Sequence, residues 1–304
     1  MSGILVVGEA LVDVVRRPDG SITEHPGGSP TNVAIGLGRL GREVRLLTQL
    51  GDDAHGALIA AHLKASGVEL VDGSVTGTPT STATAVLDAD GSATYAFDLH
   101  WALPRTPLPP QPIAVHTGSI GAVVQPGAAT VERIIHGAHG RATITYDPNL
   151  RPALMGEPEL VRAHVESFVA SADVVKLSEE DAAWLAPHER PMQLAEAWLQ
   201  LGPSLVVLTC GARGFKAVCA AGTVEVPAEP VQVVDTVGAG DSAMAGLLDG
   251  LWDAGLLGAE ARGALRGVDL GTVQRVLEHA ARVAAVTVSR PGADPPTRED
   301  LLRS

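Results

Sequence analysis

The stretch DTVGAGDSAMAGLLDGLW, residues 235–252, places a glycine-rich turn directly before an apolar helix. Gly238, Ala239 and Gly240 carry little or no side chain, so a bulky anion can approach their backbone N–H groups closely. The first N–H groups of a helix have no partner inside the helix, and the helix dipole favours negative charge at that end. The turn is therefore a candidate anion site.

A carboxylate, Asp241, stands where this turn becomes the helix. Beside an anion site it would repel the anion, unless it accepts a proton from a group that attacks the anion. Phosphoryl transfer to a hydroxyl group needs this combination. Because Asp is also favoured at helix N-termini for capping alone, the turn and Asp241 by themselves leave a catalytic and a purely structural interpretation open.

The composition is that of an ordinary globular protein with a substantial core: of 304 residues, 45% are hydrophobic and 19% are charged. No apolar run reaches the roughly 18 residues that cross a bilayer. The N-terminal segment lacks a basic region, so we expect a buried first strand and no signal peptide. The net charge of −13 argues against nucleic-acid or membrane binding, and it means that local donors must hold any phosphate.

The two cysteines, Cys210 and Cys219, are too few for a disulfide framework and sit in apolar, strand-like segments. We expect both to be reduced core residues of a cytoplasmic protein. No cluster of cysteine and histidine has the spacing of zinc ligands.

Short apolar runs alternate with helical patterns along the chain, which predicts an α/β fold whose mainly parallel, doubly wound sheet is covered by helices on both faces. Buried strands are expected at 4–7, 44–47, 114–116, 143–146, 174–176 and 205–209. Helices are expected at 54–65, 159–170, 192–201, 241–254 and 272–286, and a further one begins with Ser29 as N-cap and Pro30 at the first helical position and stops at Gly41.

Two stretches depart from this pattern. Residues 12–24 alternate partly and turn at Pro18-Asp19-Gly20, and residues 82–98 alternate around Asp90-Gly91, a strong hairpin signal. Antiparallel pairs do not fit inside a parallel sheet, so we predict a single domain, 1–304, with a separate small β-layer at about 12–26 and 80–104. Such a layer suits a lid that excludes water; a decorative or oligomer-forming hairpin explains its shape equally well.

The common nucleotide-binding loops are missing from the sequence. There is no GxxxxGK[ST] motif, and the first strand leads into Gly8-Glu9-Ala10-Leu11 in place of GxGxxG. The segment HPGGSPTNVAIGLGRLG, residues 25–41, offers a different site: Gly27-Gly28 exposes backbone, and Asn32 falls in the first helical turn. With Asp13 just after the first strand, these groups suit a polyhydroxylated ligand, whose hydroxyls need donors and acceptors.

The chain resembles the ribokinase, or PfkB, family of carbohydrate kinases over nearly its whole length. The resemblance is carried by the blocks GEALVDV 8–14, GGSPTNVA 27–34, LGDDAHG 50–56, DPNLRP 147–152, KLSEED 176–181, LTCGARG 208–214, DTVGAGDSAMAGLL 235–248 and SRPGA 289–293. The DTVGAGD and GG…N blocks, in this order and separation, form a specific pair. The resemblance implies a ribokinase-like fold with a β lid and an ATP-dependent sugar kinase that phosphorylates a primary hydroxyl.

The resemblance also implies roles for individual residues. Asp241 would be the general base, and Gly238, Ala239 and Gly240 would form the anion hole. The remaining implied contacts are with the sugar (Asp13, Gly27, Gly28, Asn32 and Arg151) and with the nucleotide (Ser178, Thr209, Gly211 and Gly214). The implied partners are a sugar and ATP with Mg²⁺, a second copy bound through the lid, and K⁺ near Asp235 and Ser289 as in many members.

Two positions depart from the family pattern. The usual Asn-x-x-Glu, which organises Mg²⁺ and phosphate-bound water, is replaced by Ser178 and Asp181, so a metal contact of Asp181 through water is expected. Ala281 stands where many members place an Asn near the adenine, which leaves the nucleotide preference open.

The motifs GEALVD, DPNLRP and KLSEED are most similar to the bacterial fructokinase branch, so fructose is the expected acceptor. A 2-keto-3-deoxygluconate kinase and a ribokinase are the nearest alternatives, and a nucleoside kinase or a non-catalytic sugar-binding homologue ranks below them. Phe97 and Trp101, in or just after the second lid strand, could stack on the sugar, or belong to the lid core or a dimer contact.

Overall fold

The computed structural model describes residues 3–88, 90, 93–103 and 111–303. Its strands are β1 Ile4–Val7, β2 Leu11–Arg16, β3 Ile22–Gly27, β4 Val44–Leu47, β5 Leu50–Gly51, β6 Val68–Leu70, β7 Val75–Thr76, β8 Ser81–Leu87, β9 Ala93–Asp98, β10 Ala114–Gly118, β11 Thr143–Asp147, β12 Val174–Ser178, β13 Leu205–Thr209, β14 Phe215–Cys219 and β15 Gly222–Val226. Its helices are α1 Ser29–Arg39, α2 Ala54–Ala65, α3 Gly127–Ala138, α4 Pro152–Met155, α5 Pro158–Ser171, α6 Glu179–Leu185, α7 Pro191–Leu199, α8 Ala239–Asp253, α9 Arg262–Arg266, α10 Leu270–Val288 and α11 Arg298–Arg303.

In the described part of the chain, nine strands form the central sheet in the order β15-β14-β13-β12-β11-β10-β1-β4-β6. Neighbours from β6 to β13 are parallel, whereas β14 and β15 run antiparallel at one edge. The mainly parallel sheet is confirmed, and the antiparallel edge pair was not predicted. Because parallel strands end at the same edge, the loops after β1, β10, β11 and β12 meet there.

Alternating strand residues divide the core between the two sheet faces. Ile4 and Val6 pack in one cluster with α1, α8 and α10, and Leu5 and Val7 pack in the other with α3, α5 and α7. Side chains on both faces are buried, as expected for parallel strands covered by helices. The three-layer αβα prediction is therefore confirmed.

A second sheet has the strand order β3-β2-β8-β9 and corresponds to the two departing stretches. The pairs β2–β3 and β8–β9 are antiparallel, and β2 joins β8 in parallel. Val12 and Val14 anchor one face in the core. Of the expected lid segment 80–104 and its Asp90-Gly91 turn, residues 89, 91, 92 and 104 lie outside the described residues.

One predicted helix start is wrong. The N-cap of α1 is Gly28, and Ser29 is already helical and makes no capping bond. The Ser29 hydroxyl bonds instead to a side chain 212 residues away, so a long-range contact has replaced the local cap. Over the described residues, no helix has both the length and the apolar character needed to cross a membrane.

Candidate active site

A cleft of about 400 Å³ opens at the edge where the parallel strands end, between the two sheets. Its walls come from the loop after β1, from strands β2, β8 and β9, from the start of α1, from the loops after β10 and β11, and from the turn before α8. The cleft brings together eight residues predicted from the sequence, although they lie far apart in the chain: Asp13, Gly28, Asn32, Arg151, Gly238, Ala239, Gly240 and Asp241.

Asp241 is buried between the two halves of this cleft. Its Oδ1 accepts hydrogen bonds from Ser29 Oγ at 2.6 Å and Asn149 Nδ2 at 3.1 Å, and its Oδ2 accepts one from Asn32 Nδ2 at 2.8 Å. The N-cap of α8 is Gly238, and no side chain caps this helix. The side chain of Asp241 is thus turned towards the elements that bear Ser29, Asn32 and Asn149, and the capping interpretation fails.

The turn before α8 depends on glycine. Gly238 has φ of 75°, and a Cβ there would lie 2.6 Å from Ala293 Cβ. Asp235 fixes the turn from the side: its Oδ1 accepts the Val237 N–H at 3.0 Å and its Oδ2 the Gly292 N–H at 2.8 Å. These bonds lower the pKa of Asp235. The Ala239 N–H closes the turn on Thr236 O at 3.2 Å.

Asp13 lies within β2 and faces the opposite side of the cleft. The strand register places Asp13, Ala83 and Phe97 in one row across the second sheet. Burial raises the pKa of Asp13, against the opposing charges of His25 and Arg151. All three residues of the row line the cleft.

Two glycines make room beside this row. A Cβ on Gly27 would lie 2.2 Å from Asp13 Oδ2, so the glycine makes space for that carboxylate. Gly28 has φ of 102°, and a Cβ there would lie 2.5 Å from the backbone oxygen of Glu9. Gly28 is therefore required by its positive φ and by the approach of the Glu9 backbone, whereas the closest atom at Gly27 belongs to the movable carboxylate of Asp13.

Sequence reasoning missed Glu9, a buried carboxyl group in the cleft wall. Its Oε1 accepts the Ser29 N–H at 3.3 Å and its Oε2 the Gly121 N–H at 2.8 Å. Burial raises the pKa of Glu9 to about 7. The motif GEALVDV contains this residue, but its spacing does not reveal which backbone groups it meets.

Asn149 and Ser29 were also missed. Asn149 has φ of 37°, and its Nδ2 donates to Ser29 Oγ at 2.6 Å as well as to Asp241. Arg151 lines the cleft and donates through Nη1 to Asn149 Oδ1 at 2.7 Å. The motif DPNLRP was the available signal for Asn149, because it places a polar residue shortly after a buried strand.

Ser178 and Asp181 form a reciprocal cap on α6. Asp181 N donates to Ser178 Oγ at 2.9 Å, and Ser178 N donates to Asp181 Oδ2 at 3.2 Å. Asp181 Oδ1 accepts the Leu150 N–H at 2.9 Å, which ties α6 to the DPNLRP loop. Neither residue lines the cleft. Within the described ranges, no three His, Cys, Asp or Glu residues are grouped to hold a metal ion.

The residues expected at the nucleotide lie along the same sheet edge, outside the cleft lining. Thr209 ends β13 and pairs in register with Ser178. Gly211 and Gly214 follow with φ of 55° and 92°, and a Cβ on Gly214 would lie 2.2 Å from Val226 O. Ala281 is buried in α10.

The two aromatic residues of the second sheet differ in position. Phe97 lines the cleft and stacks on Tyr95, with ring centroids 6.3 Å apart. Trp101 is buried, and its Nε1 donates to Gly121 O at 2.9 Å. Trp101 is therefore a core residue, and the suggestion that it stacks on a ligand is wrong.

Comparison with known proteins extends the similarity over the whole chain. The profile of the family described as "pfkB family carbohydrate kinase" matches residues 1–300. A fructokinase of Rhizobium leguminosarum bv. trifolii is 35% identical over 259 residues, covering 82% of this chain and 79% of that protein.

Solved structures share the architecture. A fructokinase with bound ATP from Xylella fastidiosa superposes with a TM-score of 0.85 at 25% identity, covering 100% of this chain and 98% of that one. A Vibrio cholerae O395 fructokinase in a fructose, ADP and calcium ion bound form gives a TM-score of 0.80 at 25% identity over 100% and 98%.

These matches confirm the predicted family. The geometry of the cleft, with the Asp241 carboxylate between a glycine-rich turn and polar side chains, is consistent with this family. A phosphotransferase with an alcohol acceptor fits both the profile and this geometry. The chain belongs to the pfkB family of carbohydrate kinases.

Proposed function

We propose that this chain transfers the γ-phosphoryl group of ATP to a primary hydroxyl of fructose. The observation that carries the proposal is the position of Asp241, whose two oxygens accept hydrogen bonds from Ser29, Asn32 and Asn149 while its backbone belongs to the anion turn. Fructose is supported by the Rhizobium relative, named a fructokinase, and by the Vibrio cholerae structure that holds fructose.

In the proposed reaction, Asp241 accepts the proton of the sugar hydroxyl as that oxygen forms a bond to the γ-phosphorus and the bond from phosphorus to the ADP oxygen breaks. The N–H groups of the Gly238–Gly240 turn stabilise the transferring group. Asp13, Asn32 and the backbone at Gly28, which line the cleft, hold the sugar hydroxyls together with Gly27, which adjoins Asp13. Arg151 lies at the cleft wall.

The nucleotide is assigned to the adjoining part of the sheet edge. These residues, Ser178, Thr209, Gly211 and Gly214, lie at or after the ends of the neighbouring strands β12 and β13. The ATP bound to the Xylella fastidiosa relative supports this nucleotide. We therefore propose ATP as the phosphoryl donor.

A divalent cation, Mg²⁺ in the proposal, would neutralise the phosphates of ATP. Each Asp181 oxygen accepts one N–H group and keeps a lone pair, which suits a hard cation contacted through water. The Vibrio cholerae structure, which holds a calcium ion together with ADP, supports a divalent cation in the proposal. A K⁺ ion would bind near Asp235 and Ser289, where backbone and carboxylate oxygens adjoin the turn.

The second sheet is proposed as a lid and as the contact between two copies of the chain. Tyr95 and Phe97 are 63% and 39% exposed on one face of it, an apolar surface that a partner lid would cover. Replacing Tyr95 with Lys should convert a dimer to a monomer in sedimentation equilibrium, and an unchanged mass would refute this contact. A cytoplasmic location, where buried thiols such as Cys210 stay reduced, belongs to the same proposal.

ADP release tests the substrate. The purified protein with ATP and Mg²⁺ should turn over fructose faster than ribose, 2-keto-3-deoxygluconate, tagatose or nucleosides, each measured with and without K⁺. Turnover of nucleosides alone, or of no compound, would overturn the proposal.

The role of Asp241 is tested by Asp241→Asn. The loss of a general base should lower kcat by about 10² to 10⁴ while ATP still binds. The exposed Asp52→Asn is the matched control and should keep full activity. A D241N rate within threefold of the unsubstituted protein would remove Asp241 from the mechanism.

A further inference from the structure

Lys176 is a buried cation that the proposed mechanism does not yet use. Within residues 3–88, 90, 93–103 and 111–303, it is the one Lys or Arg that is buried, with 3% of its surface exposed. It lies on β12, and the alternation that places Val174 in the cluster packed on α8 places Lys176 on the same sheet face. Burying an ammonium group is costly, so its position needs an explanation.

The ammonium group of Lys176 lies against the anion turn. A Cβ added to Gly240 would be 3.7 Å from Lys176 Nζ, which places Nζ beside the N-terminal turn of α8. On its other side, Nζ lies 2.8 Å from Asp147 Oδ2. A positive charge thus lies beside the turn, on the buried side where Asp147 also lies.

The pair with Asp147 is held by charge more than by hydrogen-bond geometry. Although Nζ and Oδ2 are 2.8 Å apart, neither Asp147 oxygen has a partner at hydrogen-bond angles. Both groups are buried at contact distance, so they form an ion pair. The donors of Lys176 are therefore not fully committed to Asp147.

The surroundings keep Lys176 protonated. Burial alone would lower the pKa of Lys176, but the charges of Asp147, Asp181 and Asp241 raise it above its ordinary value. Burial and the Lys176 charge together lower the pKa of His116 to about 3, so this neighbour is neutral at physiological pH. Burial raises the pKa of Asp147 to about 6, so at neutral pH the carboxylate is largely ionised and pairs with the ammonium.

We propose that Lys176 is a positioning residue for phosphoryl transfer: its ammonium group, held beneath the Gly240 turn by Asp147, stabilises the negative charge that gathers at the anion turn in the transition state. The inference rests on the proposed kinase function. It explains how a chain of net charge −13, with Asp241 beside the turn, accommodates the negatively charged phosphoryl group. Asp241 takes the proton as described, and Lys176 keeps its own.

The two members of the pair give an asymmetric test. Lys176→Met removes the charge, and kcat with fructose should fall about 100-fold with KM for fructose within threefold, as for the loss of one oxyanion donor. Asp147→Asn leaves the ammonium group in place and should lower kcat less than tenfold. Lys176→Arg, which keeps the charge, should retain more activity than Lys176→Met. If the ion pair were merely structural, K176M and D147N would lower kcat equally. Equal losses of kcat would therefore overturn the proposal.

Lys176→Met alone leaves the buried Asp147 carboxylate without its partner, which could destabilise the fold. The double variant K176M/D147N removes that carboxylate as well and so separates a loss of charge from misfolding. Its kcat should stay about 100-fold low although ADP binding shows that it is folded, and it should bind the ADP–aluminium fluoride–fructose complex about 100-fold more weakly. A rate within threefold of the unsubstituted protein would refute the role of Lys176. Failure of the unsubstituted protein to phosphorylate any sugar would instead refute the proposed function.

Discussion

The hydroxyl of Ser29 donates a 2.6 Å hydrogen bond to Oδ1 of Asp241, although 212 residues separate them. Ser29 begins α1, and Asp241 lies in the first turn of α8, so the bond joins the N-termini of two helices. Asn149 Nδ2 donates to the same hydroxyl at 2.6 Å. One serine therefore links three segments of the chain at the proposed base.

Ser29→Ala should lower kcat about tenfold and leave KM for ATP unchanged. The alanine keeps the helix but removes the donor that orients Oδ1 of Asp241, together with the acceptor of Asn149, at a cost of about 1–3 kcal/mol for buried polar groups. Steady-state kinetics with fructose and with ATP separate the two effects. Ser21→Ala, in the exposed turn of the lid, is the control; equal kinetics for both variants would contradict the prediction.

Gly27→Ala should raise KM for the sugar about tenfold with little loss of stability. The new Cβ would meet Asp13 Oδ2 at 2.2 Å, and a flexible carboxylate can move away cheaply, but it then leaves its place in the cleft. Gly77→Ala, where no atom lies within 4 Å, controls for the added methyl group. If G27A and G77A give the same KM, Asp13 does not hold the sugar.

Stability should depend on pH through Glu9. Its pKa is raised from 4.5 to about 7 by burial, so the folded protein holds a proton that the unfolded chain releases between these values. The stabilisation is fully present below about pH 4.5 and is lost as the pH rises through about 7. The free energy of unfolding in urea should be measured for Glu9→Gln and for the unsubstituted protein at acidic and at alkaline pH. Between acidic and alkaline pH, the variant should gain up to about 3 kcal/mol of stability relative to the unsubstituted protein. A constant difference would exclude this linkage.

Asp249→Asn should destabilise the fold without damaging the chemistry. Asp249 is fully buried on α8 and accepts bonds from Arg298 Nη2 at 2.7 Å, Arg42 Nε at 2.5 Å and His279 Nε2 at 2.6 Å. Disrupting a buried charge cluster costs about 3–5 kcal/mol. The neighbouring Asp253 also pairs with Arg42 but is 58% exposed, so Asp253→Asn should cost less than about 1 kcal/mol. Tryptophan fluorescence in urea measures both, and equal losses would refute the distinction.

The sequence predicted the parallel sheet and both halves of the cleft because apolar runs and glycine-rich turns are local patterns. Gly238 and Gly28 both have positive φ, a geometry that the sequence analysis did not predict. The structure added Ser29, Asn149 and Lys176, whose partners lie on distant segments. No periodicity specifies such pairs, and Ser29 was assigned to a cap because its true acceptor is not a neighbour in sequence.

The edge strands β14 and β15 and the helix α6 also show where local sequence patterns fail to predict the structure. The antiparallel pairing of β14 and β15 was not predicted, although the segment of Cys219 reads as strand-like. β14 is buried over nearly its whole length and so shows no alternation that would mark it as an antiparallel strand. Ser178 and Asp181 were interpreted through a metal motif, whereas the local capping box also accounts for that spacing. A Ser-x-x-Asp pattern serves both purposes, and sequence alone does not separate them.

The position of β1 has a consequence for the chain as it is made. This first strand pairs with β10 from residue 114 onward, and the contact of Ser29 with the proposed base needs residue 241. An emerging chain must keep its N-terminal strand available until later segments leave the ribosome. A chain that ends before residue 235 lacks the glycine-rich turn and Asp241. Under the proposed function, such a fragment would transfer no phosphoryl group.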